Sequence, residues 1–147
     1  VFKVFLALHI LAAVGAIGPL IHAATTAARG LRRSNATATA EASRVLRVYS
    51  IASIVVVILG FGLMSMTSPY THRVVAKFTD TWIWLSLLLW LIGVGIAWGL
   101  LSRTLDRATT MINNEESIVA LRGRVAAFGG IVALIFAAII VLMVFQP

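Results

Sequence analysis

Two histidines, His9 and His22, stand in "FKVFLALHILAAVGAIGPLIHAATTAARGLRR", residues 2–33, a stretch that is otherwise nearly pure hydrocarbon until its closing arginines. An imidazole can ligate a metal or a haem, or carry a proton. On a helix the thirteen residues between them correspond to about 220° of rotation and ~20 Å of rise. They therefore cannot share one metal ion, nor the face that two stacked haems need. His22 is expected to reach the membrane interface or to bond a backbone carbonyl loosened by Pro19. His9 lies deeper, about two turns inside the opposite surface, where an ionisable group is a functional candidate by default.

A sharper chemistry comes from "GLMSMTSPYTHR", which brings Met64, Met66 and His72 to the end of a second apolar segment. Thioether and imidazole ligands suit Cu(I), and His9 joins the set if the first two segments are neighbours. Met64 and Met66 diverge by about 200° on a helix, so both face one ion only if the helix unwinds before Pro69. Methionine is also an ordinary apolar filler. A b-type haem needs two axial ligands at similar depth, for which His9 with Met64 or Met66 is the available pairing. The only acids are Glu41, Asp80, Asp106, Glu115 and Glu116, all outside the apolar segments. They form no carboxylate pair, and no nucleophile–base set or phosphate loop accompanies them. The expectation is a protein that is not an enzyme and has no resident cofactor. Copper or haem b at His9, Met64, Met66 and His72 is the alternative.

The elements that must position these residues follow from composition. Of 147 residues 61% are hydrophobic and 12% charged, and the mean hydropathy is +1.02. A soluble domain of this size needs more polar surface, so the bilayer is the expected solvent. The absence of cysteine excludes disulfides, thiolate metal sites and iron–sulfur clusters. Apolar segments at about 2–28, 46–68, 81–102 and 125–145 each reach the ~20 residues a spanning helix needs. In lipid such spans must be helices. The first is too long and too closely followed by arginines for a signal peptide. The chain opens on Val1 rather than Met, which fits either missing residues or an alternative start codon read literally.

The net charge of +7 does not point to nucleic acid, because the basic residues flank the apolar segments. Nine of the twelve Lys and Arg fall in 29–47 and 103–124, leaving Lys3, Arg73 and Lys77 on the other side. The positive-inside rule then places both long loops in the cytoplasm and both termini outside. Arg32 and Arg33 are expected at lipid headgroups. Ser34 or Asn35 is expected to cap the second helix, and Asn113 or Asn114 the fourth, with Glu115 and Glu116 in its first turn. Pro69 is expected to stop or bend the second helix. Tyr70, Trp82 and Trp84 fall where an interfacial aromatic belt belongs, with Trp98 at the opposite interface. Gly95 and Gly99 form a GxxxG pattern; Gly15, Gly18, Gly60, Gly62, Gly129 and Gly130 add further points of close helix approach. Packing within the bundle accounts for most of these, and docking on another subunit is the other use.

"FKVFLALHILAA", "GFGLM", "WIWLSLLLWLIG" and the closing "VLMVFQP" together resemble a family of small bacterial four-helix membrane proteins, known as a domain of unknown function. The family is similar, around its first-span histidine, to the membrane portion of copper-resistance D proteins. The resemblance covers nearly the whole chain and implies that His9 is the matching histidine. The Ala/Val/Arg-rich, lysine-poor style resembles that of actinobacteria, where small helical proteins serve as accessory subunits of the respiratory bc–oxidase supercomplex. The expected architecture is an all-α, up-down bundle of four transmembrane helices forming one domain over 1–147. It is expected in the bacterial inner (plasma) membrane, as a non-catalytic accessory subunit among other integral membrane subunits and phospholipids.

Overall fold

Apolar runs that outlast the hydrocarbon layer become four long helices in the computed structural model, which describes residues 1–147. Helix one is Phe2–Arg32 and continues unbroken through Pro19. A three-residue turn, with Ser34 in the left-handed region at φ 49°, reverses the chain into helix two, Ala36–Met64. Helix three is Thr81–Asn113, and helix four is Val119–Phe145. All four are long and apolar enough to cross a membrane, and no strand is present beyond one isolated bridge between Thr67 and Val74.

The helices run up and down around a square. Helix one lies between helices two and four, and helix three closes the opposite corner. Helix three is not uniform. Its first part, Thr81–Val94, packs on helix four, whereas its last part, Arg103–Asn113, leans mainly on helix two. Between them Gly95–Ser102 is wound as a π-helix. Such wider winding is rare, and mostly appears where a helix is bent or put to use.

Glycines set the closest approaches. A Cβ at Gly129 on helix four would collide with the Ala24 carbonyl oxygen of helix one. At Gly30 it would lie 3.1 Å from the Ala38 Cβ, and at Gly93 3.0 Å from Ile135. Around these points the main core forms from Leu20, Ala24, Leu31, Leu46, Leu101, Leu105, Val125, Val132 and Phe136. Met64, Ala76 and Trp82 make a separate small cluster near the chain termini.

The helix ends revise several expectations. Asn35 caps helix two, its side chain accepting from the Ala38 amide at 3.0 Å. Helix two ends at Met64, before Pro69 is reached. Helix three outlasts its apolar run by eleven residues, to Asn113, so most of the expected 103–124 loop is helical. Asn113 and Asn114 consequently end helix three and do not cap helix four. Glu115 and Glu116 lie in the link, not in a first turn. Glu115 turns the chain at φ 58°, which lets Ile118 drop into the core as the buried N-cap of helix four.

Candidate functional site

The best-ordered polar constellation lies where helix two meets helix three. Thr39, Ser43, Leu46, Ser50 and Ser53 recur at spacings of 4, 3, 4 and 3, which keeps them on one face of a helix, and all five are buried. Thr39 and Thr109 share a hydroxyl hydrogen bond of 2.7 Å. The Arg47 guanidinium donates to Ser43 Oγ at 3.0 Å and forms an ion pair with Asp106. Ser43 has one proton and two acceptors in reach, Asp106 Oδ1 at 2.6 Å and the Ser102 carbonyl at 3.1 Å. The carboxylate is the nearer and charged one, and it is the stronger acceptor.

A serine on a carboxylate looks like half of a nucleophile–base pair. Ser43, however, is fully buried and Asp106 is paired with Arg47, and the group fastens helix two to helix three. Further along, Ser53 accepts from Trp90 Nε1 at 3.0 Å and donates to the Ser50 carbonyl at 2.6 Å. None of the expected site residues belongs to this seam, although its signal is present in the sequence as small hydroxyl residues repeating at heptad-like spacing.

His9 is half-buried between helices one and two. Its ring occupies the notch left by Gly60, where a Cβ would stand 3.2 Å from Cε1, and it lies against the Val56 backbone. Nδ1 is buried and finds no well-formed hydrogen bond. Phe5 fills the equivalent notch at Gly62, where a Cβ would meet its ring at 3.2 Å. These two glycines explain how helices one and two close on aromatic rings near the terminal end.

The other residues considered as ligands have different surroundings. Met64 is buried with Ala76 and Trp82. Met66 is half-buried, and its carbonyl accepts from the Val75 amide at 3.0 Å. His72 is exposed in the following turn with φ 53°. No three His, Cys, Asp or Glu side chains converge on a metal position. His22 is exposed, and the bond to a carbonyl loosened by Pro19 is not formed; its own carbonyl accepts from Thr26 Oγ1 at 2.7 Å.

Two further expectations change. Gly15, Gly18, Gly95 and Gly99 do not pack the bundle, since a Cβ at any of them would meet nothing within 4 Å. Gly60, Gly62 and Gly129 make the close approaches expected of them, Gly130 does not, and Gly30 and Gly93 add two that were not expected. Periodicity within one helix cannot tell which small face looks inward. Trp82 is not a lipid anchor: it is only 9% exposed, because it packs on Met64 and Ala76. Trp84 at 56% and Trp98 at 43% are outward-facing, and the Trp84 indole donates to the Phe78 carbonyl at 2.7 Å. Arg32 and Arg33 are exposed at the arginine-bearing end.

One comparison places the chain. A family model described as "Predicted integral membrane protein (DUF2269)" matches residues 3–147. No curated protein and no solved structure matches.

Proposed function

The chain belongs to this DUF2269 family of integral membrane proteins, and from that premise we propose that it is a non-catalytic subunit that packs against a larger membrane complex. The observation that carries the reading is the outward face of helix three. There the π-wound stretch turns Gly95 and Gly99 toward a side that no helix of the chain occupies. Glycine gives lipid little to pack against, but it lets a second backbone come close, where dispersion and weak carbonyl contacts replace lipid. The residue inventory favours the same reading: Asp106, the one acid in the polar seam, is tied to Arg47.

The location that goes with this is a bacterial inner membrane, with the arginine-bearing end in the cytoplasm and both termini outside. The bc–oxidase assembly of the respiratory chain is the partner to test first. Solubilising native membranes in mild detergent is expected to leave the protein migrating with a larger complex, and Gly95→Leu with Gly99→Leu is expected to release it. Both positions have room for the new side chains within the chain itself. A protein recovered only as a free monomer or homo-oligomer would overturn the reading.

A second reading rests on one atom, the unpartnered Nδ1 of His9. In it the protein holds copper or haem b through His9, with Met64, Met66 or His72 as a further ligand. Its test is an absorption spectrum and metal analysis of the purified protein. A Soret band, or stoichiometric copper retained after washing, would support it and displace the first.

A further inference from the structure

Of the three Lys and Arg residues at the end opposite the nine arginines, two converge on one concavity. The chain between helices two and three folds back at Thr67–Val74, with Ser68 N donating to the Arg73 carbonyl at 2.8 Å and His72 N to the Ser68 carbonyl at 2.9 Å. A second turn follows, in which Asp80 Oδ2 accepts from the Lys77 amide at 2.7 Å and Asp80 N donates to the Lys77 carbonyl at 2.9 Å. Between the two turns lies a pocket of about 500 Å³, lined by Thr67, His72, Arg73, Val74, Ala76, Lys77 and Asp80.

The backbone of this pocket is fixed by its own hydrogen bonds, while the charged tips are free. Neither Arg73 nor Lys77 forms an ion pair, since the single ion pair of the chain is Arg47–Asp106. The one carboxylate in the lining, on Asp80, accepts from the Lys77 amide and keeps its charge, so Arg73 and Lys77 together leave the lining net positive. Lys3, the remaining cation of this end, is occupied elsewhere, with Nζ 5.9 Å from the centre of the Tyr70 ring.

We propose that this pocket binds a phosphate group, and that the phosphate is the phosphodiester of a membrane phospholipid. A guanidinium fork and an ammonium match phosphate oxygens, and the Thr67 hydroxyl and the His72 ring add further donors. The lipid source follows from the surroundings. Phe61 and Phe78 stack at 6.0 Å, and Trp84 reaches the Phe78 carbonyl, so the pocket opens beside an aromatic layer of the kind that sits at headgroup depth. This site is independent of what covers the glycines of helix three.

The test uses the full chain in a phosphate-free maltoside detergent, titrated with a short-chain phosphatidylglycerol or with inorganic phosphate and followed by native mass spectrometry. One phosphatidylglycerol is expected to bind, with affinity falling about tenfold for each of Arg73→Gln and Lys77→Gln. Arg33→Gln with Arg124→Gln, an equal charge change at the far end, is expected to leave binding unchanged. Both pocket side chains are exposed and bond nothing in the fold, so the variants should keep their helical circular dichroism. Binding of inorganic phosphate without phosphatidylglycerol would overturn the lipid source. Binding of neither, or equal binding by the doubly substituted protein, would overturn the site.

Discussion

The half of the bundle that carries the arginines and the half that carries the termini are built differently. In the first, helix one buries Ala16, Leu20, Ala23, Ala24, Ala27, Ala28 and Leu31, whereas its first fourteen residues bury none. The arginine half also holds the hydroxyl seam, the Arg47–Asp106 pair and the closest backbone approach, at Gly129. The terminal half has the three-residue cluster of Met64, Ala76 and Trp82 and two aromatic rings seated on glycines. Buried polar atoms without partners occur in both, on His9 and Ser86 here and on Arg47, Ser50 and Arg122 in the arginine half. Lipid excludes water from both halves equally, so hydrophobic burial does not explain the difference. What holds membrane helices together is close packing and the hydrogen bonds made from one helix to the next. By that criterion the arginine half is the fastened one, and the terminal half has the freedom to accept a ligand or a neighbour.

The largest effect should come from the tightest contact. Gly129→Leu forces a side chain into the backbone of helix one at Ala24, and no rotamer escapes a clash that begins at Cβ. Overpacking costs about 1–3 kcal/mol when side chains can yield, and more when the obstacle is backbone. Unfolding in mixed micelles, followed by circular dichroism, should show a loss of at least about 3 kcal/mol. Gly130→Leu, one residue along with nothing within 4 Å, should change little. Equal loss at both positions would mean that the closeness of helices one and four is not what fastens this half.

The polar seam comes next. Asp106→Ala strips Ser43 and Arg47 of their shared acceptor at a pair whose side chains are 43% and 45% exposed. That exposure holds the pair itself to about 0.2–1 kcal/mol, and the lost hydroxyl bond to Ser43 brings the total to about 1–2 kcal/mol. Ser53→Ala removes the acceptor of Trp90 and should cost about 0.6 kcal/mol, the usual scale of a hydrogen bond between membrane helices. A double-mutant cycle with Trp90→Phe isolates that bond. Coupling near zero would remove Ser53 from the seam.

The architecture was legible because its rule is one-dimensional: length and hydropathy choose spanning helices, and four runs were long enough. Helix ends were harder. Residues 103–113 are polar, so hydropathy stopped at Ser102 where the helix does not, and burial of Leu105 and Ala108 against the core carries it on. The polar seam was visible as the 39–43–46–50–53 spacing, but its meaning depends on which helix faces it. Among the glycines Gly60, Gly62 and Gly129 make the close approaches expected of them, but Gly95 and Gly99 carry the familiar motif and look outward, while Gly93 two residues earlier meets Ile135 and Phe136. A pattern along one helix fixes a face but not its direction.

The smallest effect belongs to His9, and it tests the comparison most directly. His9→Phe keeps a planar ring for the Gly60 notch and removes both nitrogens. If the terminal half is unfastened, Nδ1 stands desolvated beside the Val56 backbone without a well-formed hydrogen bond, and its removal relieves part of that cost. The larger ring must fit a notch so close to helix two that a Cβ at Gly60 would stand 3.2 Å from Cε1, which opposes that gain. The expected net change in unfolding free energy is within about 0.5 kcal/mol, and is not a loss like that at Gly129. A fall of more than about 1 kcal/mol would mean that the imidazole is a bonded strut, and that the terminal half is tied as firmly as the other. Repeating the measurement with Cu(I) present separates the two functional readings. Ligation by His9 would stabilise the natural protein over His9→Phe by an amount that grows with the logarithm of free copper above its Kd, because a ligand that binds only the folded chain stabilises it. A difference that stays constant as copper is raised would leave His9 as a ring packed on a glycine.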